Sequence, residues 1–339
     1  MGRRVNKGKR ELLDFFDTVL QLKDVTSLEH YPLEEGDFRP VIRDLSLEVR
    51  KGESWAIYGE TPMDLKLLLE IMGNMIPMGQ GSRTLLEESS NYKLRRILDS
   101  VFYIGGSNML IPNMNVLEAL MFATAPQKGD PVLRQEDLFE TLIDLGLGHL
   151  SLTPVHLLTS EESALVALLT AAYSDSLLIL FNLPQLSFDD LLLRVLASIS
   201  EFITLNDKAL VLSTTDSLLV ERTCDFTVFL HEGQVLFAGS VAELLTRYDK
   251  TLIILEDDES SSLLDPLTQL LPQQAISLED GQLIISDREG QTSDPLALHQ
   301  RIVEAGLAPG AMAINHKSAK AAFKRSEEHT SELQSHHDL

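Results

Sequence analysis

Five consecutive apolar residues, Leu177 to Phe181, constrain this chain more than any other segment. Asp175 precedes the run and Asn182-Leu183-Pro184 ends it, so it is too short for a helix and reads as a strand buried on both faces. A charge placed inside such a run would cost several kcal/mol, roughly the penalty of an unpaired buried polar group. A parallel sheet covered by helices is the architecture that supplies two apolar faces.

Other segments fall in order around that strand. LEVRKGESWAIYG (Leu47 to Gly59) reads as a hairpin with its turn at Lys51-Gly52, and Gly59 opens the loop GETPMDLK, Gly59 to Lys66. VFYIGGSNMLIPNMNVLEAL (Val101 to Leu120) is a strand followed by a Pro-Asn turn and a helix start. HLLTSEESALVALLTAAYSDSLLILFNLPQLSFDD (His156 to Asp190) gives a helix, the buried strand and a loop. ALVLSTTD (Ala209 to Asp216) and ERTCDFTVFLHEGQVLFAGSVAELL (Glu221 to Leu245) close the series.

In this order and spacing the segments resemble the ATP-binding cassette (ABC) ATPases over roughly two-thirds of the chain. The resemblance implies a P-loop NTPase-like α/β cassette with a helical subdomain from about Ser89 to Ala172. It also implies a nucleotide site built from these loops, with ATP and magnesium as the family's cofactors. A phosphate loop G-x-x-x-x-G-K-[ST] wraps backbone N–H groups around phosphates, and adds a Lys and a metal-binding hydroxyl. An ungapped register puts Asp64 and Leu65 at the Gly and Lys positions and Lys66 at the hydroxyl position. Gly106 replaces the Q-loop Gln, and Leu158-Thr159-Ser160-Glu161-Glu162 replaces L-S-G-G-Q. Asn182 and Leu183 stand where Asp-Glu is expected, and Thr215 stands for the His that senses the γ-phosphate. Gly59, the hydroxyl of Thr159 and the D-loop Asp189 match. Tyr31 is a candidate for stacking on adenine, against the simpler reading that it packs on its own domain.

Electrostatics sharpens the expectation. ATP carries about four negative charges, and one like-charge pair at ~4 Å costs on the order of 4 kcal/mol at an effective dielectric of 20. Asp64, Glu161 and Glu162 would face it. Two such terms, about 8 kcal/mol, are as large as the ~4–8 kcal/mol of a millimolar-to-micromolar affinity. On this reading the named positions are vestigial, no cofactor and no metal are expected, and the chain is not an enzyme.

Composition narrows the partners. The formal net charge of −23 excludes a nucleic-acid partner, which needs a basic face. The lone Cys224 excludes an internal disulfide and fits a reducing compartment. MGRRVNKGKR is not a signal peptide, because Glu11 and Asp14 follow it instead of an apolar core. The last residues, RSEEHTSELQSHHDL, look like the in-frame translation of a DNA-sequencing adapter, so His329, His336 and His337 are not read as a metal cluster.

The expected organisation is an N-terminal tail (1–18), a cassette domain (19–246), an α+β, ferredoxin-like accessory domain (247–324) and a non-native tail (325–339). The accessory domain is read from strand TLIILE, helix LLDPLTQLL, hairpin AISLEDGQLIISD around Asp280-Gly281, helix ALHQRIVEAGL and strand AMAIN. In the second helix Leu298, Ile302, Val303 and Leu307 share a face. SAKAAF (Ser318 to Phe323) weakly echoes the ending of exporter ATPases that carry such a domain.

Three functions are compatible with these readings. The resemblance implies a structural or regulatory cassette subunit of a membrane exporter, peripheral at the cytoplasmic membrane. It would dock a transmembrane permease through Ser107 to Ala123 and pair with an active ABC ATPase subunit. Its acidic faces argue against an ATP-sandwich homodimer. An interaction or regulatory module outside transport is the alternative. An enzyme with a rearranged site using Lys66 and Asp189 is the third, against a solvated Lys and a turn Asp.

Overall fold

The computed structural model describes residues 17–32, 38–86, 88–89, 100–105, 110–127, 129–183, 186–248, 252–256, 260–279, 282–287, 295–307, 311–315 and 319. They form two compact units that divide between Val241 and Ala242. The tails 1–16 and 320–339, Gly106 to Met109, and Ser318 fall outside the described residues.

The first unit begins with β1 (Thr18–Ser27), β2 (His30–Pro32), β3 (Phe38–Pro40), β4 (Leu45–Arg50) and β5 (Ser54–Gly59). Helix α1 (Pro62–Met72), β6 (Met78–Leu85), β7 (Glu88–Ser89) and β8 (Val101–Ile104) follow. Three helices come next, α2 (Val116–Ala123), α3 (Pro131–Asp144) and α4 (Ser160–Tyr173). Strand β9 (Leu178–Asn182), α5 (Asp190–Leu205), β10 (Ala209–Thr214), α6 (Ser217–Thr223), β11 (Phe226–His231) and β12 (Gln234–Ser240) complete it.

A six-stranded sheet runs in the order β12-β11-β5-β10-β9-β8, parallel except for the edge strand β12. The apolar run at Leu177 lies where it was expected, because β9 is flanked by β10 and β8 and its residues Leu178 to Phe181 are buried. A second, antiparallel sheet has the order β4-β1-β6-β7. Helix α1 shares one core with both sheets through Leu65, Leu68, Leu69 and Met72.

The structure corrects one local reading. Gly52, at φ +75°, does turn the chain after Lys51, and the Glu53 N–H donates to the Arg50 carbonyl at 3.3 Å. The flanking strands are not partners, however: β4 pairs with β1, and β5 pairs with β10 and β11. The reason is polarity. Alternate residues of β4 are exposed or half-buried, which suits a one-faced sheet, whereas β5 is buried throughout and needs a neighbour on each edge and cover on each face.

Buried cations finish two helix ends. Arg83 of β6 donates to the Ile71 carbonyl and to Asn74 Oδ1 beyond the end of α1. Lys208 Nζ donates to the Ala172 carbonyl at 2.6 Å and the Ser174 carbonyl at 2.5 Å at the end of α4. Both place positive charge at the carbonyl end of a helix, where the macrodipole favours it. Helix α2 packs on α3 and α4, the helical part expected before β9.

In the second unit, after α7 (Val241–Tyr248), come β13 (Leu252–Glu256), α8 (Ser260–Leu270), β14 (Gln274–Glu279), β15 (Gln282–Asp287), α9 (Pro295–Glu304) and β16 (Ala311–Asn315). They form an antiparallel sheet in the order β14-β15-β13-β16, so each helix joins strands separated by a third. Its core gathers Leu267, Leu271, Leu283, Ile285, Leu298 and Ile302. Val303 is exposed, because the i, i+4 pair Leu298 and Ile302 already defines the buried stripe. Among the described residues no helix is long and apolar enough to cross a membrane.

Candidate functional site

In open parallel sheets ligands bind beyond the carboxyl ends of the strands. Here β5, β10, β9 and β11 end level: Tyr58 is opposite Thr214, Ser213 is opposite Asn182, and Leu230 is opposite Gly59. A cleft of about 380 Å³ opens at that edge, lined by Tyr31, Arg39, Gly59, Thr61, Asp64 and Glu232 among others.

The junction of β5 and α1 forms its floor. A Cβ on Gly59 would lie 2.8 Å from the Leu230 carbonyl oxygen and 3.2 Å from Leu65 Cδ2, so only glycine fits. A phosphate loop places its eight-residue motif between strand and helix. Only Glu60 and Thr61 separate β5 from α1, because Pro62 starts the helix at once. The N–H groups of Asp64 and Leu65 therefore donate to the Thr61 carbonyl, at 3.1 and 3.3 Å. The ungapped register thus places Leu65 and Lys66 within the helix. Leu65 is 0 % exposed in the core, and Lys66 lies on the surface, 3.7 Å from Glu70.

Asp64 turns inward. It is 5 % exposed, and its carboxylate accepts a hydrogen bond from the Tyr31 hydroxyl. This corrects its assignment to a face that would meet a second copy. Tyr31 in turn lies opposite Arg39 in the β2–β3 ladder, with the guanidinium carbon 5.9 Å from the ring centroid. Arg39 Nη1 donates to Glu232 Oε2 at 2.7 Å, while its Nε is buried without an acceptor. Donation to Asp64 is the largest reason that the Tyr31 phenol is pushed up to about 12, followed by burial and the Asp64 charge. Burial also raises the Asp64 carboxyl, opposed by the Tyr31 hydrogen bond and the Arg39 charge.

Most of the remaining described positions make hydrogen bonds within the domain. Asn182 Oδ1 accepts from Ser213 Oγ at 2.8 Å, and Leu183, buried, donates its N–H to the Ser213 carbonyl at 2.9 Å. Thr215 is exposed at the end of β10. Asp189 caps α5 by accepting from the Leu192 N–H at 2.8 Å. Thr159 and Glu162 form a capping box at the head of α4, at 3.1 and 2.9 Å, so Glu162 has a local task. Neither Thr159 nor Glu161 lines the cleft, and Gly106 lies outside the described residues.

Sequence reasoning missed Arg39, His231 and Glu232. The Glu232-Gly233 turn between β11 and β12 was a readable hairpin signal, and Glu232 adopts φ +46° there. Nothing local marks Arg39, whose role comes from the β2–β3 register. The capping box T-x-x-E at Thr159 was readable as such.

No family model matches the chain. Its relatives include the putative hemin import ATP-binding protein HrtA of Staphylococcus haemolyticus, 25% identical over 226 residues, covering 64% of this chain and 99% of that protein. The lipoprotein-releasing system ATP-binding protein LolD of Shewanella oneidensis is 29% identical over 180 residues, covering 51% of this chain and 76% of its own length. Among solved structures, cbiO1 of Clostridium perfringens, part of the ABC transporter complex cbiONQ, superposes with a TM-score of 0.55 at 16% identity, over 76% of this chain and 96% of that one. The cassette MJ0796 bound to ADP and Pi gives 0.53 at 18% identity, over 66% and 98%.

These findings correct two expectations. The relatives are named as ATP-binding proteins, so neither the absence of a cofactor nor the absence of enzyme activity stands as a reading of this chain. Substituted contact residues leave the cleft, its glycine floor and the sheet edge in place. The first unit has the fold of an ABC ATPase cassette, and the chain is a relative of the ATP-binding subunits of ABC transporters.

Proposed function

We propose that the chain serves as the ATP-binding subunit of a membrane ABC transporter and docks a transmembrane permease through α2. A groove of about 250 Å³ carries the docking reading, lined by Phe102, Leu110, Ile111, Met114, Ala119 and Phe122. Phe122 is 61 % and Ile111 41 % exposed, although both are large and apolar. The Asn115–Glu118 capping box fixes the start of α2, the helix that carries Phe122. A groove of this kind takes an amphipathic helix by its apolar face, and its lining residues Leu110, Ile111, Met114, Ala119 and Phe122 belong to the segment that the family resemblance assigns to permease contact.

ATP is the ligand proposed for the cleft at Gly59, supported by the relatives' names. The residues present do not fit a magnesium triphosphate in the family's usual manner. Asp64 puts a carboxylate on the cleft wall, Leu65 is in the core, and Asn182 is engaged by Ser213. The second cassette is proposed to be a more basic chain rather than another copy, because Glu161 and Glu162 stand in the first turn of α4. Light scattering with and without Mg-ATP tests that: a nucleotide-strengthened homodimer would contradict it.

Co-expression with a candidate permease tests the docking face. Phe122→Asp should cut the recovered permease roughly tenfold or more, as loss of an interface anchor does. Leu191→Asp, exposed on α5, should leave recovery unchanged. Equal recovery with both variants would remove α2 from the interface.

A further inference from the structure

We propose that Asp64 is an internal anion that stands in for a ligand phosphate at the head of α1, with Tyr31 as its clasp, and so sets how tightly the cleft takes a phosphorylated ligand. The inference rests on the ATP-binding reading of the same cleft.

A helix N-terminus favours negative charge, and in nucleotide-binding folds an external phosphate fills it. Here α1 carries its own carboxylate in the first turn. Asp64 is not a surface acid that happens to be near, since it is buried, lines the cleft, and is held by the Tyr31 hydroxyl. A second observation points to an absent acceptor. Arg39 lines the same cleft, and its Nε is buried with no hydrogen-bond partner, although its Nη1 is taken by Glu232.

The charged and titratable groups around Asp64 leave little else to receive a phosphate. Tyr31 faces it from β2 and Arg39 from β3; Glu60 follows β5, and His231 and Glu232 lie at the end of β11. Glu60, Asp64 and Glu232 are acids, and Arg39 is shared between Glu232 and the face of Tyr31. A phosphate oxygen entering beside Thr61 therefore meets a desolvated carboxylate as well as the Thr61 hydroxyl. It binds tightly only when that carboxylate is protonated or removed. The Arg39 Nε then supplies a donor that no protein acceptor has claimed.

Calorimetry of Mg-ATP with the full chain, as wild type, Asp64→Asn and Tyr31→Phe, tests this across pH. At neutral pH Asp64→Asn should bind roughly tenfold tighter, the order expected on removing one partly screened like-charge repulsion. The gap to wild type should shrink as the pH falls, because burial raises the Asp64 carboxyl and it takes up a proton. Comparing the two proteins at each pH cancels the titration of ATP itself. Tyr31→Phe keeps the ring but removes a hydrogen bond that favours the charged carboxylate, so wild-type-like weakness should give way at a higher pH. Saturable binding of equal strength in wild type and Asp64→Asn would overturn the inference and leave the ATP-binding reading intact. No saturation in any protein at any pH would overturn that reading and the inference with it. Should Asp64→Asn fail to fold, an unchanged pH profile in Tyr31→Phe would overturn the inference by itself.

Discussion

The heads of α1 and α4 carry the same kind of charge in the same place and use it differently. Each helix starts where the cassette resemblance places nucleotide contacts, and each has acid in its first turn: Asp64 in one, Glu161 and Glu162 in the other. At α4 Glu162 closes a capping box: its carboxylate accepts from the Thr159 N–H, and the Thr159 hydroxyl accepts from the Glu162 N–H. At α1 the cap residue Thr61 makes no side-chain capping hydrogen bond, and the first-turn Asp64 is held by the Tyr31 hydroxyl. A glutamate in a capping box contributes stability wherever it is solvated. A buried aspartate lining a cleft acts on whatever enters. Motif substitution in itself therefore says little about ligand chemistry; burial and partner decide it.

The largest expected effect comes from restoring the lysine that the ungapped register assigns to position 65. Leu65 is fully buried in the core shared by α1 and both sheets, so Leu65→Lys buries an ammonium with no partner. It should destabilise the first unit by about 3 kcal/mol or more. Lys66→Leu, on the surface of the same helix, should shift stability by less than about 0.5 kcal/mol. Urea unfolding of both variants reads the difference. A well-folded Leu65→Lys with tighter ATP binding would mean that the lysine reaches the cleft, and the contrast between the two helix heads would then fail.

The next effect lies at α4. Thr159→Ala removes one half of the capping box and should cost about 1 kcal/mol. Mg-ATP affinity should not change, since Thr159 does not line the cleft. Asp189→Ala, which removes the cap of α5, should behave alike. A change in affinity without a change in stability would return Thr159 to the ligand site.

Much of the fold was legible because it rests on local pattern. The apolar run that became β9 admits no one-faced sheet, and the second-unit strands and helices are bounded by turn residues or polarity changes that can be read directly. The pairing of β4 with β1 was not legible, because Lys51-Gly52 gives a turn without saying whether the chain stays in one sheet. The candidate site was legible as a set of positions, and less so as chemistry. Spacing located Gly59, Asp64 and Asn182 at the carboxyl edge, but an ungapped register could not reveal that Pro62 begins the helix three residues before Leu65. Arg39 and Glu232, 193 residues apart, meet only through tertiary structure.

The smallest expected effect separates the two helix heads by pH. The Asp64 carboxyl sits above the ordinary carboxylate value because it is buried, so the folded chain holds that proton more tightly than the unfolded chain does. Stability from this group is thus complete below the unfolded value, near 4 for Asp, and is lost as the pH rises through the folded value. Asparagine cannot ionise and loses nothing over that window. The stability of Asp64→Asn relative to wild type should therefore rise from acid toward neutral pH, by less than the cap removal at Thr159 costs. The deficit of Thr159→Ala should stay level across the same window, because a threonine hydroxyl does not titrate there. Urea midpoints for the three proteins from about pH 4 to pH 7 provide the measurement. Parallel curves for Asp64→Asn and wild type would show that the Tyr31 bond and the Arg39 charge fully offset burial, and α1 would then carry its acid at as little cost as α4 does.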